Sequence, residues 1–356
     1  MRFIFKTSYE QDIRLVKHGG QAFWYGLLGL ALAAAPMLPE YYLSQLTFVC
    51  IYALVGVGLM LLTGYTGQIS LGHAAFLAVG AYTEAVLQAM GVPFGLSLVA
   101  AGVFAGLAGI VIGLPALRLT GIYLAIATIA FGFIVQELLS RWESVTRGNS
   151  GITVKQIAVG AFAFDEEWKL YYLALALLIL VTLGIVNLLR APTGRAFVAI
   201  RDSEISASCM GVNLAKYKTM SFAISAALTG IAGGLYAHKI AFISPEQFTL
   251  FQSIELITIV ILGGIGFLHG AVLGAAFVIV LPQLISIAKG WLPEGVAPTG
   301  LQAIVFGLLL ILFIIFEPLG LYGRWLKIRT WFELFPFYRR GMFRRQKAYM
   351  KSERVR

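Results

Sequence analysis

The sequence predicts an all-α polytopic membrane protein, and three observations carry that prediction. Charged residues make up 12% of the chain and the mean hydropathy is +0.84, whereas a soluble domain carries about 25% charge. Residues 41–83, 85–117, 119–136, 170–189, 256–288 and 295–316 contain no Asp, Glu, Lys or Arg. A membrane-spanning helix needs about 20 such residues, so the longer runs hold more than one crossing or a broken one. These runs also lack the alternation of a transmembrane barrel, and in lipid only helices and closed barrels satisfy their own backbone groups.

Ten spans follow along the chain. The first, 21–38, contains Ala33, Ala34 and Ala35, which imitate a signal-peptide cleavage site. The segment before it is long and includes Glu10 and Asp12, so an uncleaved helix is the better reading. Spans 41–62 and 70–90 flank a glycine-rich stretch; 95–116 and 120–140 flank Arg118. A polar stretch, 141–169, with the turn-rich Arg147-Gly148-Asn149-Ser150-Gly151, precedes span 170–189. A second polar stretch, 190–218, precedes 218–240, and the last spans are 253–268, 270–289 and 300–317. With the N-terminus inside, the inner segments hold 21 of the 27 basic residues. Ten crossings return the C-terminus to that side. The domain reading is a cytoplasmic segment 1–20, a transmembrane domain 21–320 and a basic cytoplasmic tail 321–356. From Arg324 onward the tail carries a local charge of +9. Contact with anionic membrane lipids accounts for it, and no nucleic acid is required.

Polar side chains at membrane depth are the first candidates for function. Thr63 to His73 reads TGYTGQISLGH and places Gly64, Gly67, Gln68, Ser70, Gly72 and His73 in an uncharged run. Glycine costs a helix about 1 kcal/mol relative to alanine. Non-helical backbone within a membrane is tolerated only where protein buries it or water lines it. Two readings fit this stretch: a broken helix beside a polar translocation pathway, and a tight inner turn between spans. The pairs Gly102/Gly106, Gly109/Gly113, Gly230/Gly234 and Gly270/Gly274 have the spacing of close helix packing. Among the ionisable residues in the spans, Glu84 is the candidate for burial and a place on the pathway, with His73 beside the glycine-rich stretch. Glu137, Glu255 and Glu317 fall near span ends, where interfacial exposure explains them. No chain of ionisable side chains suited to proton relay is visible.

The stretch 193–211, TGRAFVAIRDSEISASCMG, is a charged helical segment between two apolar runs. Thr193 is placed to cap a helix starting near Arg195, and Gly211 suits its exit. Ala196, Ile200, Ser203, Ala207 and Met210 form a small-to-apolar stripe, with Arg201, Asp202 and Glu204 off it. So short a helix needs a surface to rest on, either its own membrane domain or a partner protein.

Catalytic chemistry is not encoded in any motif. The chain has no phosphate-binding loop with its lysine, no nucleophile elbow and no zinc-binding His-Glu-x-x-His. Cys50 and Cys209 have no metal-ligand spacing around them. The expectation is a protein that is not an enzyme, with no catalytic residues, no metal and no cofactor of its own. If ATP drives it, another subunit binds the nucleotide.

Several separated motifs give a resemblance. Gly194-Arg195-Ala196, Ala199-Ile200-Arg201-Asp202-x-Glu204 and Met210-Gly211-Val212-Asn213 resemble the cytoplasmic loop of LivM-type permeases of branched-chain amino acid ABC importers. The segment from Gly64 through Gln68, Ser70, Gly72 and His73 to Phe76, the run Gly148-x-x-Gly151-Ile152, and Gly263-Gly264-x-Gly266 with Gly270-x-x-x-Gly274 resemble the same family. The likeness covers most of 40–320. It implies a type II ABC importer-like fold of about ten spans in two inverted repeats, in the bacterial inner membrane, with both termini cytoplasmic. It implies as partners two ABC ATPase subunits, a second homologous permease and a periplasmic solute-binding protein. Residues 194–211 would be the coupling helix, with Gly194, Arg195, Ala199, Ile200, Arg201, Asp202, Glu204 and Gly211 serving ATPase coupling. The implied cargo is Leu, Ile and Val, or related amino-acid-like solutes. The alternative is an ion-coupled secondary transporter of small solutes, which predicts paired ionisable residues at mid-membrane.

Overall fold

The computed structural model describes residues 19–116, 119, 121–159, 162–164, 166–289 and 320–334, with short stretches between 304 and 316. Helices occupy nearly all of them. In chain order they are α1 (Gly19–Ala33), α2 (Glu40–Leu59), α3 (His73–Ala89), α4 (Phe94–Ala116), α5 (Ile122–Arg141) and the single turn α6 (Glu143–Thr146). Then come α7 (Glu167–Arg190), α8 (Pro192–Asp202), α9 (Glu204–Cys209), α10 (Leu214–Ile240), α11 (Leu250–Gly263), α12 (Leu268–Lys289) and α13 (Gly320–Leu334). Nine of the ten expected spans correspond to α1–α5, α7 and α10–α12; the tenth, 300–317, lies largely outside the described residues. Among the described residues six helices are long and apolar enough to cross a membrane: α2 with its continuation, α4, α5, α7, α10 and α12. Helix α1 and helix α11 are shorter apolar helices.

Helix α10 is the axis of the bundle, with α2, α3 and α4 packed around it. Its small residues let neighbouring backbones come close. A Cβ on Gly80 of α3 would stand 2.1 Å from the Gly230 carbonyl oxygen, and one on Gly233 would stand 2.2 Å from that of Leu77. On α4, Gly102, Gly106, Gly109 and Gly113 meet Ile231, Ala227, Ala226 and Thr219 in turn, so the two helices run antiparallel. These glycines pack helices, as their spacing predicts. Helix α2 is enclosed between α10, α7 and α12, and every residue from Cys50 to Gly64 is buried. Helices α4, α5 and α7 turn large apolar side chains outward, among them Phe104, Phe133 and Leu180, as lipid-facing helices do.

Successive connections alternate between two ends of the bundle. At one end meet the α2–α3 connection, α8 and α9, the α11–α12 connection and α13. At the other lie the α3–α4 turn, the stretch from α6 to α7, and the α10–α11 connection. That second end holds strand pairing the helical reading did not foresee. Strand β1 (Ile152–Thr153) pairs antiparallel with β4 (Phe242–Ile243), and β2 (Ala158–Val159) pairs with β3 (Phe162–Ala163). Part of the expected tail is likewise structured: Tyr322 of α13 stacks on His269, with ring centroids 5.4 Å apart, and lies beside Phe267.

Candidate functional site

The glycine-rich stretch after α2 breaks the helix and turns the chain at this end of the bundle. Helix α2 widens into a π turn, Met60–Tyr65, a deviation often found at functional sites. Residues 66–72 then leave helical geometry, and each carbonyl released at the helix end needs a donor. The Thr66 hydroxyl donates to Leu61 O and the Gln68 amide to Leu62 O, both at 3.1 Å. The Thr63 hydroxyl closes the loop onto Gln68 O at 3.1 Å. Gly67 takes a left-handed φ of +74°, which a side chain would disfavour.

The chain re-enters the bundle along 68–72. Leu71 N donates to Thr128 Oγ1 at 2.9 Å, and a Cβ on Gly72 would stand 2.1 Å from the Thr128 carbonyl oxygen. His73 lies between two hydroxyls, Nδ1 at 2.8 Å from Ser70 Oγ and Nε2 at 2.9 Å from Ser225 Oγ. Ala74 N donates to Ser253 Oγ at 3.1 Å. Ser225 sits near the middle of the 27-residue α10, so α3 begins partway into the bundle. The structure thus joins Gly64, Gly67, Gln68, Ser70, Gly72 and His73 into one re-entrant segment. Gln68 is buried there, and among the described residues neither of its side-chain polar atoms has a hydrogen-bond partner. A second break, Gly264–Phe267 between α11 and α12, meets the first. Gly266 N donates to Met60 Sδ at 3.2 Å, and a Cβ on Gly64 would stand 2.8 Å from Gly266 N.

The charged stretch 193–211 rests on this same end, and it is two helices. Pro192 starts α8 with Ala191 as its N-cap, so Thr193 does not cap it: proline's fixed φ suits the first helical position. Ser203 then leaves helical geometry, and its hydroxyl accepts from Ser206 N to start α9. Gly194 packs against the Leu189 backbone, and Ala196, Phe197, Ile200 and Ala207 are buried, while Ala199 is half-buried. The expected stripe fails at Met210, which is 87% exposed past the end of α9 because the break at Ser203 resets the helical phase. Gly211 takes a left-handed φ of +82° at the exit.

The predicted charged contacts divide into two groups. Arg201 turns inward: Nη1 donates to Gly64 O at 3.1 Å, while Nε and Nη2 hold Asp202 Oδ1 at 3.1 and 3.0 Å. Glu204 pairs at 2.7 Å with Lys218, whose side chain is 2% exposed. Arg195, Asp202, Ile205 and Met210 remain on the outer face. Neither Lys218 nor the Ser225, Ser253 and Thr128 hydroxyls were singled out as site residues. Their one signal in the sequence is that they are polar residues in or beside apolar runs.

Glu84 lies apart from this assembly, near the other end. It is fully buried; Oε1 accepts from Ser97 Oγ at 2.7 Å and lies 3.1 Å from His238 Nε2, while Oε2 has no partner among the described residues. His238 Nδ1 is 3.1 Å from Lys155 O. This buried ionisable pair was not foreseen. Glu84 is five residues from the end of α3 and His238 two from the end of α10, away from mid-depth.

Comparisons with known proteins identify the family. The family model described as branched-chain amino acid transport system, permease component, matches residues 41–314. The high-affinity branched-chain amino acid transport system permease protein LivM of Escherichia coli K12 is 34% identical over 324 residues, covering 84% of this chain and 74% of that protein. The LivH permease protein of the same organism is 26% identical over 312 residues, covering 80% of this chain and 96% of its own. A probable LivM of Methanocaldococcus jannaschii is 28% identical over 233 residues, covering 63% and 68% respectively. No solved structure matches the chain. A family match over residues 41–314 and 34% identity to a LivM permease over 84% of the chain place this protein in the branched-chain amino acid transport system permease family.

Proposed function

We propose that this chain is one of two permease subunits of an ATP-driven importer carrying Leu, Ile and Val, or similar small amino-acid-like solutes, by alternating access. The observation that carries the reading is the position of α8 and α9. They lie across the broken end of the bundle, with one face packed on it and Arg195, Asp202, Ile205 and Met210 turned outward. Such a segment is built to receive force from a partner, and the partner is an ABC ATPase bound beneath it. The second permease and the second ATPase complete the complex. A periplasmic binding protein delivers solute at the opposite end, where Glu84 and the β1–β4 pair lie.

The basic residues of 190–218 and of the C-terminal region favour a cytoplasmic α8–α9 end, and so a bacterial inner-membrane protein with both termini cytoplasmic. Ten spans in two inverted repeats are consistent with the alternating connections. ATP is bound and hydrolysed on the partner subunits; this chain supplies the pathway. ATP-driven closure of the ATPases favours one permease state only if α8–α9 contact them differently in the two states. The re-entrant segment 64–73 forms part of the passage that changes access. The substrate reading rests on what the LivM and LivH relatives are named for.

The test is purification of the tagged chain from its native membrane with its partners, followed by uptake in liposomes. Recovery of ATPases and a second permease, with ATP-dependent leucine uptake, is the expected result. A chain recovered alone that moves solute without ATP would establish the ion-coupled reading instead.

A further inference from the structure

We propose that Arg201 is a positioning residue: it ties the ATPase-facing α8–α9 segment to the broken end of α2, so that displacing α8 moves the re-entrant segment. The inference rests on the docking reading of α8–α9 and adds to it a specific transmission point.

The Arg201 side chain is 37% exposed, but its Nη1 reaches the broken end of α2. The π turn and the exit at Thr66 free the Gly64 carbonyl from helical pairing, since the Gln68 amide goes back to Leu62. Arg201 Nη1 supplies the missing donor at 3.1 Å, a positive charge at a helix C-terminus where the dipole favours it. Two further bonds to Asp202 Oδ1 fix the plane of the guanidinium. The aliphatic stem lies on Gly67: a Cβ there would be 3.2 Å from Arg201 Cγ. Gly266 of the second break is within reach, its Cβ position 3.7 Å from Nη1, and its amide is bonded to Met60 of the first. One side chain therefore bonds to the first helix break and lies near the second. At its other end α8 is pinned by Gly194 on the Leu189 backbone, and Phe197 and Ile200 are buried beneath it. Moving α8 while the Arg201–Gly64 bond holds must displace residues 64–67.

The experiment uses the complete reconstituted complex. The permease carries Cys209→Ser, which removes the exposed thiol, and Ile69→Cys as a reporter on the exposed side of the re-entrant segment. Maleimide labelling is measured without nucleotide and with ATP plus vanadate. With Arg201 present, nucleotide changes the labelling rate. In Arg201→Gln the ATPases still co-purify, the nucleotide-linked change disappears, and ATP-driven uptake falls by about ten-fold or more, the factor carried by one charge-assisted hydrogen bond. Arg201→Lys, which keeps a charged donor for Gly64 O without the planar fork, restores part of both.

Loss of ATPase co-purification in Arg201→Gln would overturn the proposal, because it would make Arg201 a docking contact. Persistence of nucleotide-linked labelling and normal uptake would overturn it as well. Should Arg201→Gln not reach the membrane, Arg201→Lys carries the test: wild-type labelling and uptake overturn the proposal, and a partial loss of both supports it. The docking reading is tested separately by the double variant Ile205→Glu, Met210→Glu, which should lose the ATPases. If that variant keeps them and transports normally, the docking reading fails.

Discussion

The two ends of the bundle satisfy their buried polar groups in different ways. Around Glu84, polar side chains meet in pairs and strands pair: His238 Nε2 lies 3.1 Å from Glu84, Lys239 binds Glu167, and β1 joins β4. Around Gly64, backbone groups released by helix breaks are held by single side chains, namely Thr63, Thr66, Thr128, Ser253 and Arg201. Breaking a buried charge pair by removing one partner costs about 3–5 kcal/mol, whereas a typical neutral hydrogen bond is worth only about 1 kcal/mol net. The Gly64 end also carries the Glu204–Lys218 ion pair, but its helix breaks are held by single bonds and can exchange those contacts one at a time. The end where polar backbone is held piecemeal is also the end where α8 and α9 sit, the segment proposed to meet a partner. A transporter has reason to place its movable parts there.

Four perturbations would break or sharpen this contrast. The largest effect is expected from Gly67→Leu. The left-handed φ costs a side chain about 1–2 kcal/mol, and the Cβ meets Arg201. Uptake should fall by about ten-fold or more while the complex still assembles. Uptake at the wild-type rate would show that this glycine only fills space. Glu84→Ala is next: it leaves Ser97 and His238 without their buried acceptor, at a cost of about 1–3 kcal/mol. A lowered unfolding temperature in detergent is the expected result. An uptake defect at unchanged stability would instead put this end on the solute pathway and erase the contrast.

Glu204→Gln should have a smaller effect, about 1–2 kcal/mol, because Glu204 is already half-exposed and the Gln carbonyl still accepts from Lys218. Faster proteolysis between α8 and α10 would report it; unchanged proteolysis would show that the pair does not brace the segment. Removal of residues 335–356 should change least. Subunit assembly stays intact if the basic tail serves only lipid headgroups, and loss of the ATPase on truncation would move the tail into the interface.

The contrast also marks where the sequence is readable. Spans α2, α4, α5, α7, α10 and α12 are legible because hydropathy is a property of each segment by itself. The break at Gly64–Gly72 is legible because glycine weakens a helix wherever it occurs. Its alternative, a tight turn, could not be set aside from composition, since depth depends on which residue of α10 His73 reaches. Residues 193–211 show the same division. That they form a polar helical segment follows from their pattern. That Ser203 divides them, that Met210 projects outward and that Arg201 turns inward do not.

What the sequence determined by itself is the class of protein, the placement of most helices, the glycine-rich interruption after α2 and the polar helical segment at 193–211. Each follows from the free energy of local residues in lipid or in a helix. Tertiary structure alone decided which polar groups are joined. Arg201 finds Gly64, 137 residues away, and His238 finds Glu84, 154 away. Such pairings depend on how glycine-lined helices cross and how far each is rotated, quantities that no single segment contains.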